Sequence, residues 1–204
     1  MPLRHLIYRC PECGHDPVLG EGDRAHCDGC GTSFERGERS LVRVIPAGTP
    51  PHGAPCRTAR ELIEAIDGHG GPLPPGRDGY AADALRRTAS RHRPLKRRGR
   101  VLGFYEALGA PEAGVLAIDA DTLRFRPTAT EGEVSEWRLL DLRAVQTSSA
   151  AVQVTDPRGT LVQFQFPVDS PRRWEQLLHR FLRAAYQRAG RGEILEFQPR
   201  IVTR

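Results

Sequence analysis

Asparagine is absent from this 204-residue sequence, lysine occurs once, at Lys96, and Met1 is the single methionine. With 30 basic side chains in all, this near-exclusive use of arginine reads as a compositional bias, so one arginine says little about a guanidinium-specific role. No apolar run approaches the roughly 18 to 20 residues a membrane-spanning helix needs. The start, Met1-Pro2-Leu3-Arg4-His5-Leu6, has no long apolar stretch before a cleavage site, and the chain reads as cytoplasmic. Catalytic signatures are missing too. There is no G-x-S-x-G elbow, Walker loop, H-E-x-x-H or strand-to-helix G-x-G-x-x-G, so neither an enzyme nor a small-molecule substrate is expected.

Turn formers are abundant instead, with 21 Gly and 17 Pro, and 39% of the chain is hydrophobic. The composition points to one or two folded units with long connections rather than to disorder. Four of the 5 cysteines form two pairs, Cys10-Pro11-Glu12-Cys13-Gly14 and Cys27-Asp28-Gly29-Cys30-Gly31. Two cysteines three apart on a tight turn can aim both sulfurs at one ion, and a glycine after each pair frees the backbone to turn amides toward those thiolates. Two such knuckles close a tetrahedral site with no open position, which disfavours a catalytic metal. A redox dithiol wants one C-x-x-C on a βαβ unit, and disulfides want an oxidising compartment. His15 and His26 read as neighbours of the site, and Cys56 as an unpartnered thiol.

CPECG and CDGCG resemble the knuckles of zinc ribbons over about residues 5 to 45. The resemblance implies one structural zinc ion on Cys10, Cys13, Cys27 and Cys30 and a small three-stranded sheet, in proteins that bind nucleic acid, dock proteins or are merely stapled. The ribbon is assigned to 1–45, where Leu41-Val42-Arg43-Val44-Ile45 can finish its sheet. A Pro/Gly-rich linker with two short helices follows over 46–96. One helix opens at the capping box Thr58-Ala59-Arg60-Glu61 with an apolar stripe of Leu62, Ile63 and Ile66, and the other covers about 80–93 until Pro94 stops it.

From Arg97 the periodicity changes to two, with strands expected at 97–106, 113–119, 122–127, 133–138, 142–148, 150–155 and 160–166. Ser170 then caps, Pro171 takes the first helical position, and Trp174, Leu177, Leu178, Phe181, Leu182 and Ala185 form one helical stripe. The fold class is thus mainly β with α. Residues 97–189 look like a pleckstrin-homology or GRAM-like domain, on the pattern of Gly114-Val115-Leu116-Ala117-Ile118-Asp119-Ala120-Asp121-Thr122-Leu123-Arg124-Phe125 and on Trp174. That resemblance implies a seven-stranded barrel plugged by the C-terminal helix. A C-terminal arm occupies 190–204. With Gly192-Glu193-Ile194-Leu195-Glu196-Phe197-Gln198-Pro199-Arg200-Ile201 at its end, the layout also resembles the accessory region before some bacterial lysophospholipid acyltransferase domains, although no histidine has an aspartate five positions on.

The net charge of +5 is unevenly spread. Residues 80–100 hold 8 basic groups against one acidic, namely Arg86, Arg87, Arg91, Arg93, Lys96, Arg97, Arg98 and Arg100. The last helix adds Arg172, Arg173, Arg180, Arg183 and Arg188. Such charge attracts anionic lipid at about 1 kcal/mol per residue, or nucleic acid by counterion release. No aromatics interleave with the basic run, which disfavours nucleic acid. Asp119 and Asp121 read as a turn. The expectation is a zinc-binding adaptor, cytoplasmic or peripheral to the inner membrane face, whose partner is a protein or an anionic membrane surface. The alternatives are a nucleic-acid-binding ribbon protein and an accessory part of an acyltransferase system.

Overall fold

The computed structural model describes residues 2–73, 78–129, 133–148 and 150–191, with the side chains of all of these but 91–93 and 103–106. The expected arm therefore lies, from 192 onward, outside the described residues. Two antiparallel sheets and two α-helices make the architecture mainly β.

The first sheet runs β1 (Leu19–Glu21), β2 (Arg24–His26), β3 (Ser33–Arg36), β4 (Val42–Ile45) and β5 (Cys56–Arg57), each paired with the next. It is wider than the three strands the ribbon resemblance implies, because β4 pairs along all of β3 and β5 then pairs with Val42 and Arg43. Alternation puts Phe34, Val42 and Val44 on one face, fully buried with Leu3 and Ile7. Helix α1 (Ala59–Gly68) closes that face with Leu62 and Ile66, so it belongs to the apolar core of the first sheet rather than to a linker. Its N-terminus is the expected capping box. Glu61 N donates to Thr58 Oγ1 at 3.3 Å, and Thr58 N donates to Glu61 Oε2 at 2.7 Å.

The second sheet comprises β6 (Tyr80–Arg97), β7 (Arg100–Leu108), β8 (Glu112–Ile118), β9 (Thr122–Pro127), β10 (Ser135–Arg138), β11 (Ala144–Thr147), β12 (Val152–Thr155) and β13 (Leu161–Gln165). Its order is β10-β9-β8-β6-β13-β12-β11, and β7 pairs with the far end of β6. The expected helix over 80–93 and the first strand at 97–106 are both corrected here. Residues 80–97 form one 18-residue strand, and the stretch read as the first strand is the return limb of its hairpin.

Alanine is a strong helix former, but helix propensity is a weak term that tertiary pairing overrides. Tyr80 to Arg86 pair with β8 while Leu85 to Thr88 pair with β13, so the middle of β6 has neighbours on both edges. That centre also needs small residues. Ala84 faces Gly114, where an added Cβ would come within 2.4 Å of the Arg126 carbonyl oxygen and 2.5 Å of the Phe125 ring. Pro94 pairs with Phe104 in the arm beyond, where β6 has a single neighbour and a missing N–H is tolerated.

The other strands fall within a few residues of expectation, since alternation and turn signals bound them. Helix α2 (Pro171–Arg188) is capped by Ser170, whose side chain accepts from Arg172 N and Arg173 N. Its stripe of Trp174, Leu177, Leu178, Phe181, Leu182 and Ala185 is buried among Leu116, Leu123, Phe125, Val152 and Phe164. Trp174 stacks on Phe166 at 5.1 Å and donates from Nε1 to Asp169 at 2.8 Å. The packing of α1 is tested by Leu62→Ala, which removes a fully buried side chain from the core of the first sheet. Denaturant unfolding should show a loss of about 2 to 5 kcal/mol, whereas a loss below about 0.5 kcal/mol would place α1 outside that core.

Candidate functional site

The two knuckles bring the four expected sulfurs together. Gly14 and Gly31, at φ 75° and 72°, turn the chain after each pair, and their amides donate to the carbonyls of Cys10 and Cys27 at 2.9 and 2.8 Å. All four sulfurs lie within 4.8 Å of one another, with Cys10 to Cys30 at 3.7 Å and Cys13 to Cys27 at 3.6 Å. A tetrahedron with metal–sulfur bonds of about 2.3 Å has edges of about 3.8 Å, so the spacing suits a four-thiolate metal site. Neither histidine joins the cluster. His26 Nε2 lies 2.6 Å from Asp28 Oδ1, and the His15 ring packs over Gly29. Cys56 is exposed on β5.

Burial pushes the Cys10 and Cys13 thiols above the ordinary thiol range. Cys30 is desolvated as well, yet hydrogen bonds from the Thr32 hydroxyl and amide draw it down to about 6. One position is thus ready to meet a cation as a thiolate, while Cys10 and Cys13 surrender protons on binding.

The basic residues separate into three groups. Arg86, in the middle of β6, is largely buried: its Nε donates to Glu112 Oε2 at 2.9 Å, its Nη1 to Ser135 Oγ at 2.5 Å, and its guanidinium stacks 4.5 Å over Phe125. Arg87 beside it is half-buried. Arg91 and Arg93 lie in the arm formed with β7, and their side chains are outside the described ones. Lys96, Arg97, Arg98 and Arg100 are exposed at the hairpin end. There Arg97 pairs with Arg100 across a two-residue turn in which Arg98 and Gly99 both have positive φ, 50° and 77°. Leu95, Val101 and Leu102 sit beside these cations and are 59%, 53% and 61% exposed. Sequence reasoning missed this combined apolar and basic tip because it read a connector. The signal present was Arg98-Gly99 between two apolar-flanked extended runs.

The last helix corrects a second reading. Arg173 is not on a solvated face but 3% exposed, inserted toward the first knuckle. Its Nη2 donates to the Tyr8 carbonyl at 3.0 Å and to Asp16 Oδ1, its Nη1 donates to the Tyr80 hydroxyl, and its Nε lies 3.6 Å from Asp169. The Tyr8 and Tyr80 rings flank the guanidinium at 4.6 and 5.1 Å. Burial pushes the Tyr80 hydroxyl up to about 12, which keeps it protonated. The other oxygen of Asp16 accepts from Arg9 Nη2 at 3.2 Å, and Arg9 also donates to the carbonyls of His69 and Leu73 at 2.8 and 3.0 Å. A cleft of about 810 Å³ opens beside this junction. Arg172 pairs with Glu175 and Arg188 with Asp121. Asp119 accepts from the amides of Asp121 and Thr122 at 3.0 and 2.9 Å, as a turn residue should.

No protein-family model matches the chain, and no curated protein matches it. Neither the ribbon nor the acyltransferase layout therefore gains a family match. A solution structure of the N-terminal PH domain of the human ARAP2 protein is similar at 11% identity and a TM-score of 0.38, over 63% of this chain and 97% of that one. Among the described residues no helix is long and apolar enough to cross a membrane.

Because raised thiols must lose protons to bind a metal, zinc titrated into the metal-free chain should release protons, and its affinity should weaken as pH falls through about 6, where Cys30 itself protonates. Calorimetry in buffers of different ionisation enthalpy reads the proton release directly. Heats independent of buffer would contradict it.

Proposed function

We propose that this chain is a non-enzymatic adaptor in which Cys10, Cys13, Cys27 and Cys30 hold one structural zinc ion, and a pleckstrin-homology-like unit carries a hairpin that meets an anionic membrane surface. The four-thiolate donor set supports zinc, since such closed tetrahedral sites bind it as a staple. The strand path β10-β9-β8-β6-β13-β12-β11 followed by α2 supports a seven-stranded barrel plugged by its C-terminal helix. The observation that carries the membrane reading is the hairpin end, where exposed Leu95, Val101 and Leu102 accompany Lys96, Arg97, Arg98 and Arg100.

Magnitudes favour using both kinds of side chain. Four basic residues near an anionic surface supply about 4 kcal/mol, roughly a thousandfold enrichment, which salt screens. Apolar side chains add about 25 cal/mol per Å² withdrawn from water, a contribution that salt does not remove. Aliphatic rather than aromatic neighbours suit a lipid interface better than stacked bases. Arg86 contributes to the sheet instead, through Glu112 and Phe125.

Co-sedimentation with vesicles of phosphatidylcholine, with and without phosphatidylserine, tests this reading. Binding should require the anionic lipid, and reversing Arg97, Arg98 and Arg100 to Glu should lower it at least tenfold. Equal binding to both vesicles, or none to either, would contradict the membrane reading; binding to a protein from lysate without lipid binding would move the tip to a protein partner. Metal analysis of the purified chain should find about one zinc per molecule.

A further inference from the structure

The first knuckle is wired to the rest of the molecule on both sides. Arg9 immediately precedes Cys10 and Asp16 follows Cys13 by three residues. The His15 carbonyl accepts from Cys10 N at 2.8 Å and the Cys10 carbonyl accepts from Gly14 N at 2.9 Å, so 10–15 is a closed loop whose two ends lie together. From those ends Arg9 reaches the carbonyls of His69 and Leu73, beyond α1, and Asp16 reaches Arg173 on α2. His69 also contacts the loop itself, with Nε2 3.1 Å from the Pro11 carbonyl oxygen and its ring against Gly14.

We infer that the first knuckle is a latch: a metal ion on Cys10 and Cys13 fixes the loop that carries Asp16, and thereby holds the ribbon against the first turn of α2 and the start of β6. This rests on the metal reading above and goes beyond a staple internal to the ribbon. The physical step is that Arg173 and Arg9 are buried cations that share the Asp16 carboxylate, Arg173 having Asp169 as a second, longer partner. A displacement of Asp16 by a few ångströms leaves both without it, and the alternative to re-pairing is hydration, which opens the junction and the cleft beside it. Without an ion, Cys10 and Cys13 meet the second knuckle through thiol contacts at 3.7 and 3.6 Å, weak beside metal–thiolate bonds, and the loop keeps its backbone hydrogen bonds, the His69–Pro11 contact and the Arg57–Glu12 ion pair. The far strand β11 meets α2 through other residues, Thr147 donating to Glu175 at 2.6 Å.

Hydrogen exchange on the full chain, zinc-loaded and after chelator treatment, tests the latch, with metal content measured on the same samples. Metal removal is expected to cut amide protection at least tenfold in 66–73 and 170–176 while leaving 152–165 unchanged. Asp16→Asn should keep about one zinc per chain yet show the same loosening with metal bound. Protection in 170–176 that is indifferent to metal removal overturns the latch while leaving the zinc reading intact. A chain that takes up no zinc overturns both, and the metal analysis identifies that outcome. Should Asp16→Asn fail to fold, the comparison of loaded and stripped wild-type chain decides alone.

Discussion

The arrangement depends on one buried cation. Arg173 has almost no contact with water, and a guanidinium in that position is tolerable only when its donors and its charge are matched. Its partners come from three separate segments: the Tyr8 carbonyl and Asp16 from around the first knuckle, the Tyr80 hydroxyl from β6, and Asp169 from the turn before α2. Two aromatic rings complete its surroundings with faces suited to a planar cation. The apolar clusters of the first and of the second sheet remain separate on either side. What joins them is therefore polar and directional, defining one geometry rather than adding bulk stability. Arg4 donating to the Pro167 carbonyl at 2.6 Å and Gln176 donating to Asp67 at 2.8 Å extend the same polar seam.

Strand β6 carries that geometry outward. Its first residue, Tyr80, is part of the junction, and its last, Arg97, begins the basic turn. Eighteen residues at about 3.3 Å each make a strap of about 60 Å from one to the other. In between, β8 and β13 grip it from both edges and Arg86 is tied to Glu112. With its middle paired on both edges, the strand lets the body of the protein set the orientation of the exposed tip.

The sequence was readable where a local rule and the tertiary environment agree. Ser170-Pro171 and the apolar stripe after it describe α2 because capping, proline placement and the helical period coincide with its burial. Thr58 and Glu61 likewise announce α1. The knuckles were legible because metal geometry demands that spacing. Residues 80–93 were not, because their alanines and arginines favour a helix locally while the decisive forces are two neighbouring strands and a crowded centre at Gly114. Arg173 was misplaced for a related reason. Beside Arg172 it looks like part of a charged face, and the counter-ion that draws it to the first sheet, Asp16, lies 157 residues away. Buried ion pairs between distant segments leave no periodic trace.

A double-mutant cycle between Asp16 and Arg173 addresses the central claim most directly. With unfolding followed by denaturant on the zinc-loaded chain, Asp16→Asn and Arg173→Met should each cost about 1.5 to 3 kcal/mol, since each removes one partner from a buried charged network in which Asp169 still faces Arg173 and Arg9 still faces Asp16. The double substitution should cost at least about 1.5 kcal/mol less than the sum of the two. Additive losses, within about 0.5 kcal/mol, would show that the ribbon and the second sheet do not meet through this pair.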